Sequence, residues 1–286
     1  MKKSLFYFLL CASSMYFSYA QNLKNLQRIP LEAYFTNPVV SPDGQFTLLT
    51  NQHFKGVYLL NLSNNQIQRI TDKEGSGYGY SWNEKSDTFY FKQKNENEFF
   101  YNSKTYSYSI LDQKIEELPE INANYLPSFK GFKKGGDRAI VVYTNLNTLQ
   151  IFAKNLHTQE KWLITQNDGQ YYNAIRSNDG KKVAVHNGAD IYIYDIDGQK
   201  EGVKIGSGIA TSWSPNDDYL IGFLDQSSDG HTIDNSEIYL FNPKEYSPKK
   251  ITNTEVISEM FPSFIDENTI IFSDDKTGRI FTFNIK

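Results

Sequence analysis

The side chains best suited to bind a transition metal or move a proton near neutral pH are His53, His157, His186 and His231, and no two of them stand at metal-ligand spacing. No Gly-x-Ser-x-Gly elbow is present, and Gly206-Ser207-Gly208 lacks its spacing, so it reads as a turn. Asp225, Asp229, Gly230 and Asp234 form an oxygen-rich stretch of the kind that wraps calcium, but it reads better as a solvated polar loop. Asp43, Asp87, Asp179 and Asp217 recur, but next to Gly, Ser and Pro, where Asp closes turns on the backbone. No phosphate cradle or basic-aromatic nucleic-acid patch is found. The expectation is no catalytic residue, no metal site and no cofactor. What remains is aromatic: Tyr34-Phe35, Tyr78-Gly79-Tyr80, Phe99-Phe100-Tyr101, Tyr125, Tyr171-Tyr172 and Met260-Phe261. Tyr, Phe and Met with few charges are what binding surfaces use, and equally what wedges between layers of a core.

The chain opens on Lys2-Lys3, an apolar run from Leu5 to Cys11, and Ser18-Tyr19-Ala20, which reads as a signal peptide with cleavage before Gln21. The 266 residues that remain carry two fewer lysines and no fewer acids, a formal charge of −6. That balance argues against nucleic acid and anionic membrane surfaces as partners. Cys11 is the one cysteine, so the mature chain has no disulfide and must be stabilised by packing. No later stretch is long and apolar enough to span a bilayer.

The elements that must position these residues come as repeats. Val39-Val40-Ser41-Pro42-Asp43-Gly44 has weaker copies at Trp82 to Asp87, Ile175 to Gly180 and Trp213 to Asp218. Alternating strands end in Asn61, Asp112, Asn155, Asp195, Asn242 and Asn284, at steps of 51, 43, 40, 47 and 42. Short strands running into Ile-Thr follow at Ile70-Thr71, Ile164-Thr165 and Ile251-Thr252. Each unit reads as four strands, here called a to d, and repeated four-stranded units of this length make a β-propeller. The expected fold is therefore all-β: one six-bladed propeller of antiparallel blades over 21–286. A helical turn is expected only at Asn22 to Leu26. The last unit lacks a strand d, while Leu26-Gln27-Arg28-Ile29 resembles Ile67-Gln68-Arg69-Ile70. The N-terminal segment should therefore complete the last blade and close the ring.

These turns and Ile-Thr strand ends resemble TolB-type propeller repeats and those in the propeller domains of dipeptidyl-peptidase-like exported proteins. The resemblance covers the mature chain. It implies a single propeller, with no room for the N-terminal domain of TolB or the hydrolase domain of the peptidases. In a propeller the d–a and b–c loops share one end, and the aromatic candidates collect there. The expected function is a non-catalytic periplasmic or secreted module, monomeric, binding a protein or cell-envelope component at that end. The alternative is a carbohydrate-active or carbohydrate-binding propeller with its site in the central channel. The inner strands offer mainly Ser, Asn and Thr for such a site, with Arg176 the conspicuous charge.

Overall fold

A computed structural model describes residues 23–94, 103–122 and 140–285. The chain folds as a six-bladed β-propeller. The N-terminal strand β1 (Lys24–Arg28) precedes blade 1, made of β2 (Thr36–Val40), β3 (Phe46–Thr50), β4 (Val57–Asn61) and β5 (Ile67–Thr71). Blade 2 is β6 (Tyr80–Trp82), β7 (Thr88–Gln93), β8 (Lys104–Ser109) and β9 (Lys114–Asn122). The described part of blade 3 has three strands, β10 (Ile140–Asn145), β11 (Gln150–Asn155) and β12 (Lys161–Leu163). Blade 4 is β13 (Tyr171–Arg176), β14 (Lys182–Asn187), β15 (Asp190–Asp195) and β16 (Val203–Ser207). Blade 5 is β17 (Ile209–Trp213), β18 (Leu220–Gln226), β19 (Asn235–Phe241) and β20 (Lys249–Lys250). Blade 6 is β21 (Glu259–Phe264), β22 (Thr269–Asp274) and β23 (Ile280–Asn284), joined at its outer edge by β1.

The layering follows from the sequence. Each second strand is a continuous apolar run, as in Val183-Ala184-Val185 and Ile270-Ile271-Phe272, and is buried on both faces between neighbouring blades. The outer strands β5 and β20 are largely exposed. β1 pairs antiparallel with β23, Gln27 opposite Thr282 and Arg28 opposite Phe281. The Ile29 amide donates to the Ile280 carbonyl at 2.9 Å, and Ile29 is buried with Ile271 and Ile280. Residues 24–26, expected to turn helically, are strand: pairing with an open sheet edge outweighs a weak local preference.

The recurring Ser and Asp of the a–b turns make one repeated hydrogen-bond pattern. Ser41, Ser177 and Ser214 each accept at 3.0 Å from the amide five residues on, those of Phe46, Lys182 and Tyr219. Their hydroxyls donate to Asp43, Asp179 and Asn216 at 2.6, 2.7 and 2.8 Å. The turns also lock to one another around the ring. The Asp43 amide donates to Ser86 of blade 2 at 3.0 Å, and the Asn178 and Asp179 amides donate to the Asp217 carboxylate of blade 5, each at 2.8 Å. Gly44 has a φ of +71°, and a Cβ there would meet the Ile265 carbonyl at 2.8 Å, so blade 6 closes on it only because it is glycine. Trp82 and Trp213, each 2% exposed, reach back one blade and donate to the Val39 and Ile175 carbonyls at 2.9 and 3.0 Å. The recurring aspartates and tryptophans are thus the ring's fasteners.

Candidate binding surface

Among the described residues, three inner strands carry a β-bulge with a residue in the left-handed region, four positions before the a–b turn: Asn37 (φ +53°), Asn173 (+49°) and Phe261 (+52°). Asn tolerates this conformation, and here it is put to use. Asn37 Nδ2 donates to the Gly77 carbonyl of the next blade at 3.1 Å, and Asn173 Nδ2 to the Ala210 carbonyl at 3.0 Å. Phe261 has nothing to donate and is strained for no hydrogen bond. Its ring instead meets Phe54 at 6.2 Å and Phe223 at 5.1 Å between centroids.

Phe54 lies in the b–c loop of blade 1, in a short 3-10 turn begun by Asn51, whose side chain accepts from the Gln52 amide. Both His53 (φ +56°) and Phe54 (φ +54°) are left-handed. The Phe54 ring stands edge-on to Tyr78 at 5.3 Å. Tyr78 is 61% exposed, and Lys92, at the end of β7, holds its ammonium 5.5 Å from the Tyr78 ring centre. Burial pulls the Lys92 amine down to about 8. Tyr172, 44% exposed, stacks on His186 at 5.2 Å and donates to the Gly188 carbonyl at 2.8 Å. Its hydroxyl is shifted up, first by burial and then by the field of Tyr78 across the mouth. Beneath it, burial lowers His186 to about 4, so the ring is neutral, and its Nε2 accepts from the Ala210 amide at 2.9 Å. The result is an aromatic collar around the channel, at the end where the b–c and d–a loops emerge.

The sequence candidates divide. Tyr78, Tyr172 and the half-buried Phe261 belong to the collar. Phe35, Tyr80, Tyr171 and Met260 are buried: Phe35 packs on Tyr58 at 5.1 Å, Tyr80 donates to the Asn37 carbonyl, and the Tyr171 and Tyr194 hydroxyls meet at 3.2 Å. Tyr34 is half-buried, donates to the Asp275 carbonyl at 3.2 Å and lies over Gly278, where a Cβ would come within 2.1 Å of its ring. Tyr80, Tyr171, Tyr172, Met260 and Phe261, read as loop residues, are in inner strands, which begin earlier than the turn signals show. Phe99, Phe100, Tyr101 and Tyr125 lie outside the described residues. Sequence reading missed Phe54, Phe223 and Lys92. Phe54 follows a histidine in a short loop with no repeat to mark it, and Lys92 looks like any charge at a strand end.

The other candidates are otherwise engaged. The Arg176 guanidinium donates to the Gly180 carbonyl at 3.2 Å and to the Ile140 carbonyl at 3.0 Å. Asp229 accepts from the His231 and Thr232 amides, each at 2.7 Å, which holds its carboxyl down to about 2, and Asp234 accepts from the Ser228 amide at 2.6 Å. Among the described residues, no three His, Cys, Asp or Glu side chains gather as metal ligands. At the opposite end of the channel, a cavity of about 290 Å³ lies among Ser41, Trp82, Glu84, Asn178, Trp213 and Ser263.

With this geometry in hand, likeness to solved structures places the fold. The chain shares its fold with TolB-like propellers. A TolB candidate from Agrobacterium tumefaciens superposes over 91% of this chain and 96% of its own, with a TM-score of 0.55 and 14% identity. TolB from Acinetobacter baumannii is matched over 75% of this chain and 56% of its own, with a TM-score of 0.52 and 14% identity. This chain therefore spans little more than half the length of that TolB. An oligogalacturonate lyase in complex with manganese matches over 91% of this chain and 78% of its own, with a TM-score of 0.50 and 16% identity. No protein-family model matches the chain. No curated protein matches its sequence. At such identities the likeness is one of fold.

Proposed function

We propose that the protein is a non-catalytic exported propeller that captures a protein or cell-envelope component on the aromatic collar. One observation carries the reading. Three bulky residues, His53, Phe54 and Phe261, are held in left-handed backbone at one end of the ring, and the Phe54 ring sits between those of Phe261 and Tyr78. Backbone strain of this kind gathers where a surface is kept for function, and exposed aromatic clusters mark interaction sites. Likeness to TolB-type propellers supports a protein partner, and likeness to the lyase supports a saccharide, so fold alone does not choose. On this reading residues 1–20 are a signal peptide removed before Gln21, and the mature chain, 21–286, works as a monomer in the periplasm or outside the cell. No helix of the described residues is long and apolar enough to cross a membrane.

Phe261→Asn separates function from packing. Asn fits the left-handed bulge as Asn37 and Asn173 do, and the relief of about 1–2 kcal/mol offsets the packing lost on Phe54 and Phe223, so stability should change by no more than about 2 kcal/mol. Capture of the partner from envelope extract should fall at least tenfold, as it should for Tyr78→Ala. Undiminished capture by both variants would end the proposal. A carbohydrate reading would instead be supported if oligosaccharides bound both variants and protected the cavity near Trp82 and Trp213.

A further inference from the structure

Glu259 opens β21, two residues before Phe261, and is fully buried. The Thr254 hydroxyl donates to its Oε1 at 2.8 Å, and its Oε2 has no hydrogen-bond partner. Acids surround it. Glu237 on β19 is also buried, but it is supplied with donors: the Thr252 hydroxyl at 2.7 Å, the Thr254 amide at 3.2 Å and the Lys250 ammonium of β20 at 3.2 Å. Asp274 on β22 stands opposite Glu259 in the register and accepts from the Ser258 and Lys276 amides at 3.1 and 3.2 Å and from the Thr277 hydroxyl. Asp275 follows it, and the Tyr34 hydroxyl binds the Asp275 carbonyl. The Lys250 ammonium on this cluster reaches Glu237 and donates to Asn253 Oδ1 at 2.9 Å. Glu259 is left with the Thr254 hydroxyl and its own backbone amide as donors, and with two acidic neighbours, Glu237 and Asp274.

Asn235 borders the Glu237 side of the cluster. Its Nδ2 donates to Glu237 Oε1 at 3.4 Å and to the Thr254 carbonyl at 3.2 Å, while its Oδ1 has no donor. A proton on Glu259 would remove the negative charge from a buried side chain flanked by Glu237 and Asp274. The strand start is tied to blade 5 through the same residue, since the Ser236 hydroxyl donates to the Glu259 carbonyl at 2.7 Å.

We propose that Glu259 is held as the neutral acid and is a pH-responsive latch between blades 5 and 6, whose ionisation loosens the start of the strand that carries Phe261. This goes beyond the binding reading and does not depend on it. Burial is the main cause that raises the carboxyl, to about 8 from an ordinary 4.5. With the folded value above the unfolded one, the stabilisation is whole below about 4.5 and is lost as pH rises toward 8. His186 titrates below about 6.5, while Lys92 begins to lose its proton as pH nears 8 and pushes stability the opposite way, so the difference between the parent and Glu259→Gln isolates Glu259.

Denaturant titrations at pH 6.5, 7.25 and 8 should show the folding constant falling by up to tenfold per pH unit. Glu259→Gln, which keeps an acceptor and adds a donor, should remove that slope. In the unaltered protein, carbon-detected NMR of the Glu259 side-chain carboxyl should titrate near 8. Amide exchange over 259–264, normalised for intrinsic rate, should quicken above that pH. A carboxyl titrating near 4.5, or equal slopes in the parent and Glu259→Gln, would overturn the latch. So would exchange over 259–264 that does not change with pH.

Discussion

A chain lacking residues 23–31 should melt roughly 10–30 °C below one that keeps them. Leu23, Ile29 and Leu31 are all buried, the first against blades 5 and 6 and the other two between blades 6 and 1. Burial of such side chains is worth roughly 1.5–3 kcal/mol each, and each kcal/mol shifts the midpoint by roughly 2–4 °C in a domain of this size. The deletion also removes the ladder from β1 to β23 and the bond from the Ile29 amide to the Ile280 carbonyl. The freed edge of β23 would then be open to pairing with other chains, so aggregation on heating should accompany the loss. Thermal melts followed by circular dichroism and light scattering check both. An unchanged midpoint would mean that β1 does not close the ring.

Trp213→Ala should cost roughly 3–5 kcal/mol for the lost ring alone. Trp213 is buried among Ala184, Ile193, Leu220 and Phe241, at the junction of blades 4 and 5. The variant also leaves the Ile175 carbonyl without its indole donor, a further cost of about 1–3 kcal/mol. Trp213→Phe isolates the second contribution, because most of the ring volume stays. Tyr219→Ala, in the same turn but 47% exposed, should change stability by no more than about 0.5 kcal/mol. Urea titration of the three variants gives the comparison. A Trp213→Ala loss no greater than that of Tyr219→Ala would contradict the fastening role.

The ring was legible in the sequence because its fasteners repeat. A Ser that accepts from the amide five residues on, and an Asx that accepts two residues further, must recur wherever the same turn recurs. The closing strand was legible for the same reason, since it copies a strand of another blade. The collar was less legible. Tyr171 and Tyr172 are neighbours in the chain, but strand alternation buries one at 2% exposure and shows the other at 44%. A one-residue bulge next to them reverses that parity, and no local pattern announces a bulge filled by Phe261 rather than by Asn. Phe54 joins the collar through contacts with residues far away in sequence, which no repeat encodes. Glu259 reads as a routine surface acid until the structure shows it buried beside Glu237 and Asp274.

The binding face is tested most directly by amide exchange of the mature chain with and without its captured partner. Protection is expected at 51–56, 76–80, 172–173 and 260–262, the segments that build the collar. Protection confined instead to the turns at 41–44, 83–86, 177–180 and 214–217 would put the partner on the opposite end of the ring and contradict the collar as the binding surface.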